Sequence, residues 1–245
     1  MIKLYQFPIS HYCEKARWAL DFKGIPYEAV NLIPGLHVPI MKRLTGRTSV
    51  PVVVDGESVI AGSDRIFDHL DETRPEPSLM PESAAQQKAV REWENFADKE
   101  VGPHVRRYCY HTLLNYPEIV KPFFTTGGPW YGGVYLRAAF PVLRIGMRKA
   151  MNINEAGASR SLEQIISAVD RFHEAATDTG YLVGDSFTRA DMTAAALLAP
   201  LCRPEGYGLK WPETLPEPLA STAEQLAPKL EWVLRVYEKH RQPFN

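Results

Sequence analysis

Cysteine is scarce. Cys13, Cys109 and Cys202 stand far apart in 245 residues, with no CxxC pair and no Cys/His ligand spacing. That pattern excludes a disulfide framework and a zinc site, leaving reduced thiols as the expectation. Charge of one sign is also lacking, since 28 basic residues face 29 acidic ones for a formal net charge of -1. No strong overall field draws the chain to nucleic acid or to an anionic membrane, which excludes nucleic-acid partners. Long hydrophobic runs are missing as well. No apolar segment reaches membrane length, and Met1-Ile2-Lys3-Leu4-Tyr5 opens directly on a strand pattern, so neither integral membrane association nor a leader is expected. A cytoplasmic globular protein of one large or two small domains is the expectation.

What is present is organised in two halves. The first alternates: strand 2–7, helix 12–23, strand 27–31, an irregular or helical piece at 38–44, strands 52–55 and 57–61, and helix 64–73. Asp55-Gly56 between two β-branched runs marks a tight antiparallel hairpin, because glycine supplies the positive φ such turns need. Strand 2–7, helix 12–23 and strand 27–31 fit a right-handed parallel crossover. The result is a small α/β domain, βαβ then ββα, on a four-stranded mixed sheet.

Pro75-Glu76-Pro77-Ser78-Leu79-Met80-Pro81 cannot continue a helix. Residues 1–76 are therefore assigned to the first domain, 77–83 to a linker and 84–245 to an all-helical second domain. Its clearest stripe is Leu162, Ile165, Ile166, Val169 and Phe172, and Leu230, Val233 and Tyr237 form another within 221–240. A helical pattern over 84–115 breaks near Gly102-Pro103, and 116–134 reads as a Pro/Gly/aromatic loop. Arg137, Arg144, Arg148 and Lys149, interleaved with Phe140, Leu143 and Ile145, read first as a solvated helix face, with a face toward a membrane or partner as the alternative weakened by Pro141 and the neutral overall charge.

The densest chemistry lies in Phe7-Pro8-Ile9-Ser10-His11-Tyr12-Cys13-Glu14-Lys15-Ala16-Arg17. Here a lone hydroxyl stands where a strand ends and a helix starts. Serine at that place is a favoured helix cap, and by itself the position reads as one. Cys13 shares an apolar stripe with Ala16 and Leu20, which makes it a packing residue before a reactive one. A cysteine at a helix start can also be a nucleophile, so a Cys13-dependent thiol-disulfide reductase is a third, weaker reading.

This layout resembles that of the soluble glutathione transferases over nearly the whole chain. The resemblance implies a thioredoxin-like first domain that binds glutathione and a helical second domain that helps hold an apolar electrophile. Ser10 matches the serine of the serine-using members (theta/zeta/tau-like), and Cys13 takes the small or apolar position three residues on. Gly35-Leu36-His37 followed by Pro39 is similar to the stretch whose histidine reaches the glycine carboxylate of glutathione, with Leu36 replacing the usual acid. Val50-Pro51 is similar to the family's step, with a cis proline and a backbone that pairs with the cysteinyl residue. Gly62-Ser63-Asp64 stands where the family has Glu-Ser holding the γ-glutamyl end, so Gly62 removes an acid that Asp64 is placed to supply. Thr188 and Asp191, in Gly184-Asp185-Ser186-Phe187-Thr188-Arg189-Ala190-Asp191, match a capping segment and are assigned to folding.

The resemblance implies glutathione as co-substrate, no metal, a homodimer and a role in detoxification. Ser10 is then a donor to sulfur. A thiol near pKa 8.5 must fall by roughly two units to be mostly thiolate at neutral pH, which takes about 2.7 kcal/mol. A hydrogen bond from Ser10 supplies roughly 1.5 to 3 kcal/mol and the helix start about 0.3 to 1 more. Tyr12 is the spare donor. Tyr12, Tyr108, Tyr110, Trp130 and Tyr131 are the aromatic candidates for the electrophile pocket. A non-catalytic binding or interaction protein of the same fold is the alternative.

Overall fold

The computed structural model describes residues 1–241. Residues 242–245, the end of the expected helical domain, lie outside the described residues. By compactness the chain divides into two units. Among the described residues one comprises Met1–Pro77 with Tyr116–Met147, the other Ser78–Asn115 with residues 148–241.

The first unit is built on β1 (Ile2–Gln6), α1 (His11–Phe22), β2 (Tyr27–Asn31), α2 (His37–Thr45), β3 (Val52–Asp55), β4 (Ser58–Ala61) and α3 (Ser63–Thr73). The sheet order is β2-β1-β3-β4. β1 and β2 are parallel, whereas β3 runs antiparallel to both β1 and β4. The expected βαβ-ββα arrangement and the hairpin at Asp55-Gly56 are therefore both observed. This is a thioredoxin-like domain.

Local sequence explains the elements. α1 starts at Ser10, whose Oγ accepts the Cys13 N–H, and ends at Lys23 before Gly24, which takes φ +62°. Its inner face buries Cys13, Ala16, Trp18, Ala19 and Leu20 with almost no exposure. Large apolar side chains buried like this contribute about 1.5 to 3 kcal/mol each. At the far end of the domain Lys23 is fully buried. Its Nζ donates to the carbonyls of Arg74 and Pro77 at 2.8 and 3.0 Å and pairs with Asp71 at 3.0 Å, closing the end of α3.

The segment 116–134, expected as a loop, instead contains a helix, α6 (Pro117–Thr125), with the loop confined to residues 126–131. Val120, Phe123 and Phe124 recur at helical spacing and are buried, and Pro117 occupies the first turn, where a missing N–H costs nothing. Before it stand α4 (Ala84–Phe96) and α5 (Gly102–Leu113), joined by one π-helical turn at Ala97–Val101, just where the break was expected. After it comes α7 (Gly132–Ala150).

The second unit is completed by α8 (Glu155–Ala176), α9 (Arg189–Cys202) and α10 (Leu219–His240). α5 packs on α8, α10 on α8 and α9, and α4 on α9. α9 is the core helix: Ala190 through Ala199 are all buried, as an apolar surface on every side requires. Its start carries a Thr188/Asp191 capping box, and the Asp191 carboxylate also accepts from the Leu182 N–H at 2.6 Å. Burial pushes that carboxyl up to about 6. Next to it Arg189, fully buried, pairs with Glu94 of α4 at 3.0 Å. Among the described residues no helix is long and apolar enough to cross a membrane.

Candidate functional site

Sheet register decides which loops meet. β1 and β2 run parallel and end together, with Gln6 opposite Asn31. β3 runs the other way, and Tyr5 pairs with Val52, so the start of β3 lies beside the end of β1. Val52 in turn pairs with Ala61, which puts the end of β4 on the same edge. The turn holding Ser10, the loop leading to His37, the Val50-Pro51 step and Gly62-Ser63-Asp64 therefore share one edge of one sheet. Tyr108 and Tyr110 lie on α5, in the other unit.

Ser10 is half-buried, with an extended backbone (φ -76°, ψ 121°) and its N–H donated to the Phe7 carbonyl at 2.9 Å. Its Oγ accepts the Cys13 N–H at 3.4 Å, a long cap bond. Accepting engages a lone pair and leaves the hydroxyl proton available to donate. The Cys13 thiol is fully buried, and burial pushes its pKa up despite the Ser10 hydroxyl next to it. Such a sulfur stays protonated at neutral pH. Tyr12, half-buried, sets its ring edge-on to His11 at 4.8 Å.

The Val50-Pro51 peptide is cis. Val50 packs against the Leu32, Met41 and Val52 cluster together with Tyr5 and Phe7. The Pro51 carbonyl accepts the Gly62 N–H at 3.1 Å, which ties the step to the start of α3. Gly62 itself is the cap residue of α3, at φ +105° and ψ 137°, leaving Ser63 as the buried first residue of the helix. The Ser63 hydroxyl is not the cap. A Cβ at Gly62 would lie 2.8 Å from Oδ1 of Asp64, so that carboxylate occupies the place where a side chain at 62 would begin.

His37 opens α2. Its Nδ1 accepts the Gly35 N–H at 3.0 Å, and its ring meets Phe7 edge-on at 4.8 Å. Burial lowers its pKa, against the opposing pull of the Thr48 and Ile33 carbonyls, so the ring is neutral at physiological pH.

Behind these loops runs a chain of polar contacts, buried at Gln6, Glu14 and Arg17, that the sequence pattern did not reveal. Arg17 donates from Nε to Glu14 at 2.9 Å, from Nη1 to Gln6 at 2.6 Å and from Nη2 to the Pro8 carbonyl at 3.1 Å. Gln6 continues to Asn31 at 2.9 Å, and Asn31 to the Gly127 carbonyl at 3.1 Å. Arg17 thus holds the turn that presents Ser10. Its buried pairing with Glu14, one helical turn away, was the only local signal.

The other aromatic candidates fall in different surroundings. Tyr108 is buried, its hydroxyl 2.5 Å from Thr222 Oγ1, and burial raises its pKa. Tyr110 is half-buried. Trp130 is 89% exposed and Tyr131 44%, their rings meeting edge-on at 5.8 Å.

Known proteins of similar sequence and fold point the same way. Residues 4–78 match the family described as glutathione S-transferase, N-terminal domain. The chain is 40% identical over 83 residues to glutathione S-transferase Z1 of Arabidopsis thaliana, covering 33% of this chain and 38% of that protein. It is 26% identical over 212 residues to glutathione S-transferase TCHQD of the same plant, covering 82% and 77%. Among solved structures, glutathione transferase F7 from Populus trichocarpa superposes with a TM-score of 0.68 at 15% identity over the full length of both chains, a likeness of fold. The chain spans under half the length of the first three curated relatives it matches.

Proposed function

We propose, for a chain that belongs to the soluble glutathione transferase superfamily through its N-terminal domain, that it activates the glutathione thiol as thiolate for attack on an apolar electrophile. The observation that carries this reading is the convergence of Ser10, cis Val50-Pro51 and Ser63-Asp64 on one edge of the sheet. Glutathione is the co-substrate. Val50 offers its backbone to the cysteinyl residue. Ser63 and the first N–H groups of α3 receive the γ-glutamyl carboxylate, where the helix dipole favours an anion. Asp64 takes the γ-glutamyl amine in place of the acid missing at Gly62. His37 is the proposed contact to the glycine carboxylate.

Ser10 acts as a hydrogen-bond donor to sulfur and neither as nucleophile nor as base. As glutathione binds, its thiol proton leaves to solvent, and the sulfur charge is met by the Ser10 hydroxyl and the start of α1. The two contributions, roughly 1.5 to 3 and about 0.3 to 1 kcal/mol, match the demand of about 2.7. Sulfur then bonds to carbon of the electrophile, and the leaving group departs with the electron pair of the broken bond. Tyr12, on the same sheet edge, is the proposed aromatic contact to that substrate. The Cys13 reductase reading is disfavoured by a thiol with no exposed surface and a raised pKa. A cytoplasmic homodimer acting in detoxification is the fuller form of the proposal.

The test is conjugation of a chlorinated nitroaromatic, with glutathione affinity measured in parallel, for wild type, Ser10→Ala and Cys13→Ala. Loss at Ser10 alone supports the transferase. Absence of glutathione binding at millimolar concentration would sink it in favour of a non-catalytic binding protein.

A further inference from the structure

The outer face of α7 and the loop before it carry exposed apolar residues. Trp130, Tyr131, Val134, Val142 and Ile145 are 89%, 44%, 63%, 74% and 67% exposed. Among the described residues the other exposed large apolar residues beyond Met1 are Leu36 and Ile40, one turn apart at α2, and the single Val59 and Leu234. At about 100° per residue Val134, Ala138, Pro141, Val142 and Ile145 fall on one stripe of α7, opposite buried Leu136 and Phe140. Arg137, Arg144 and Arg148 run along one flank of that stripe, and Lys149 stands within it at the end of α7. Arg148 also donates to Asn115 at 2.8 Å. From Ile119 to Asn154 the sequence holds no aspartate or glutamate. The near-zero charge of the chain thus conceals a cationic segment balanced by acids elsewhere.

We infer that this face docks on an anionic lipid surface, with α7 lying in the headgroup plane. An apolar stripe flanked by arginines and ending at a lysine, with a tryptophan at its leading end, has the chemistry of that interface: apolar residues enter the acyl boundary while the cations stay at the phosphates. A second copy of the chain fits poorly, since an antiparallel two-fold contact through the same patch sets one arginine flank against the other. An acidic protein surface pairs the cations but leaves the stripe in need of a separate apolar counterpart. The bilayer interface supplies both. This face stands apart from the glutathione reading and does not depend on it.

The experiment is sedimentation of the full chain with vesicles of phosphatidylcholine alone or mixed with phosphatidylglycerol. Binding is expected only to the mixed vesicles and should weaken with salt. Arg137→Gln with Arg144→Gln should weaken it roughly thirty-fold, and Val142→Ser with Ile145→Ser by at least about ten-fold, with melting temperature and glutathione affinity unchanged. Failure to bind the mixed vesicles, or equal binding to both kinds, overturns the inference. So does a dimer that Val142→Ser with Ile145→Ser converts to monomer, because the face then belongs to a second copy. Retention of poly-glutamate without vesicle binding assigns it to an acidic protein instead.

Discussion

At the scale of single residues, Ser10 holds two positions that the sequence presents as rivals. It is the cap of α1, accepting the Cys13 N–H, and it still has a proton to give. Ser10→Ala is therefore expected to show two separable losses. Stability should fall by about 1 kcal/mol from the missing cap, read by chemical denaturation. The pKa of the bound glutathione thiol should rise by roughly one to two units, read from thiolate absorbance against pH, with conjugation at neutral pH falling about ten- to a hundred-fold. A thiolate titration unchanged in the variant would remove Ser10 from the chemistry. The place of Ser10 was legible in the sequence because a strand end, a proline and a helical stripe bracket it. The ring of His37 was not: its bond to Gly35 depends on a loop path that no periodicity encodes.

At the scale of elements, what was legible is what repeats. Alternation exposed the strands, and Asp55-Gly56 exposed the hairpin. The helix Pro117–Thr125 stayed hidden because its two prolines and the glycines after it outweigh three buried apolar residues in any local reading. Polar anchors between elements were equally silent, since their partners lie far apart in sequence. Asp55 at the hairpin is one, bonded to Arg74 at 2.8 Å and His69 at 3.0 Å, and the Arg74 guanidinium is the main cause of its lowered pKa. A depressed carboxyl stabilises above its unfolded pKa and loses that contribution as pH falls through its folded one. Asp55→Asn should cost about 1 kcal/mol in urea denaturation at neutral pH, and the cost should vanish below the usual carboxylate range. Lys23 is the stronger anchor. Lys23→Ala strands the Asp71 carboxylate and the carbonyls at the end of α3, and is expected to cost about 3 to 5 kcal/mol; a loss under about 1 would show the site to be wet.

At the scale of the whole molecule, the scarcity of cysteine acquires a consequence for reactivity. Cys13 is held in the protonated form by burial, and burial pushes both Cys109 and Cys202 up to about 12. The folded chain should label slowly with a disulfide reagent at neutral pH, and all three thiols should appear on denaturation. One rapidly reacting thiol traced to Cys13 by mass spectrometry would revive the reductase reading. The division into a sheet domain and a helical remainder was legible from the change of period near residue 80. The assignment of 116–147 by compactness was not, because it depends on packing of α6 and α7 rather than on their pattern.

The backbone at Gly62 bears on which neighbouring sequences the chain can reach. At φ +105° a glutamate there is strained, and its Cβ meets the Asp64 carboxylate. Under the proposed glutathione reading, gaining an acid at 62 while keeping Asp64 sets two carboxylates against one γ-glutamyl amine, with the strain at position 62. The two positions therefore form one linked choice, and a route between them passes through a form with no acid or through a crowded one. Each of the two substitutions changes sign of effect with the state of the other.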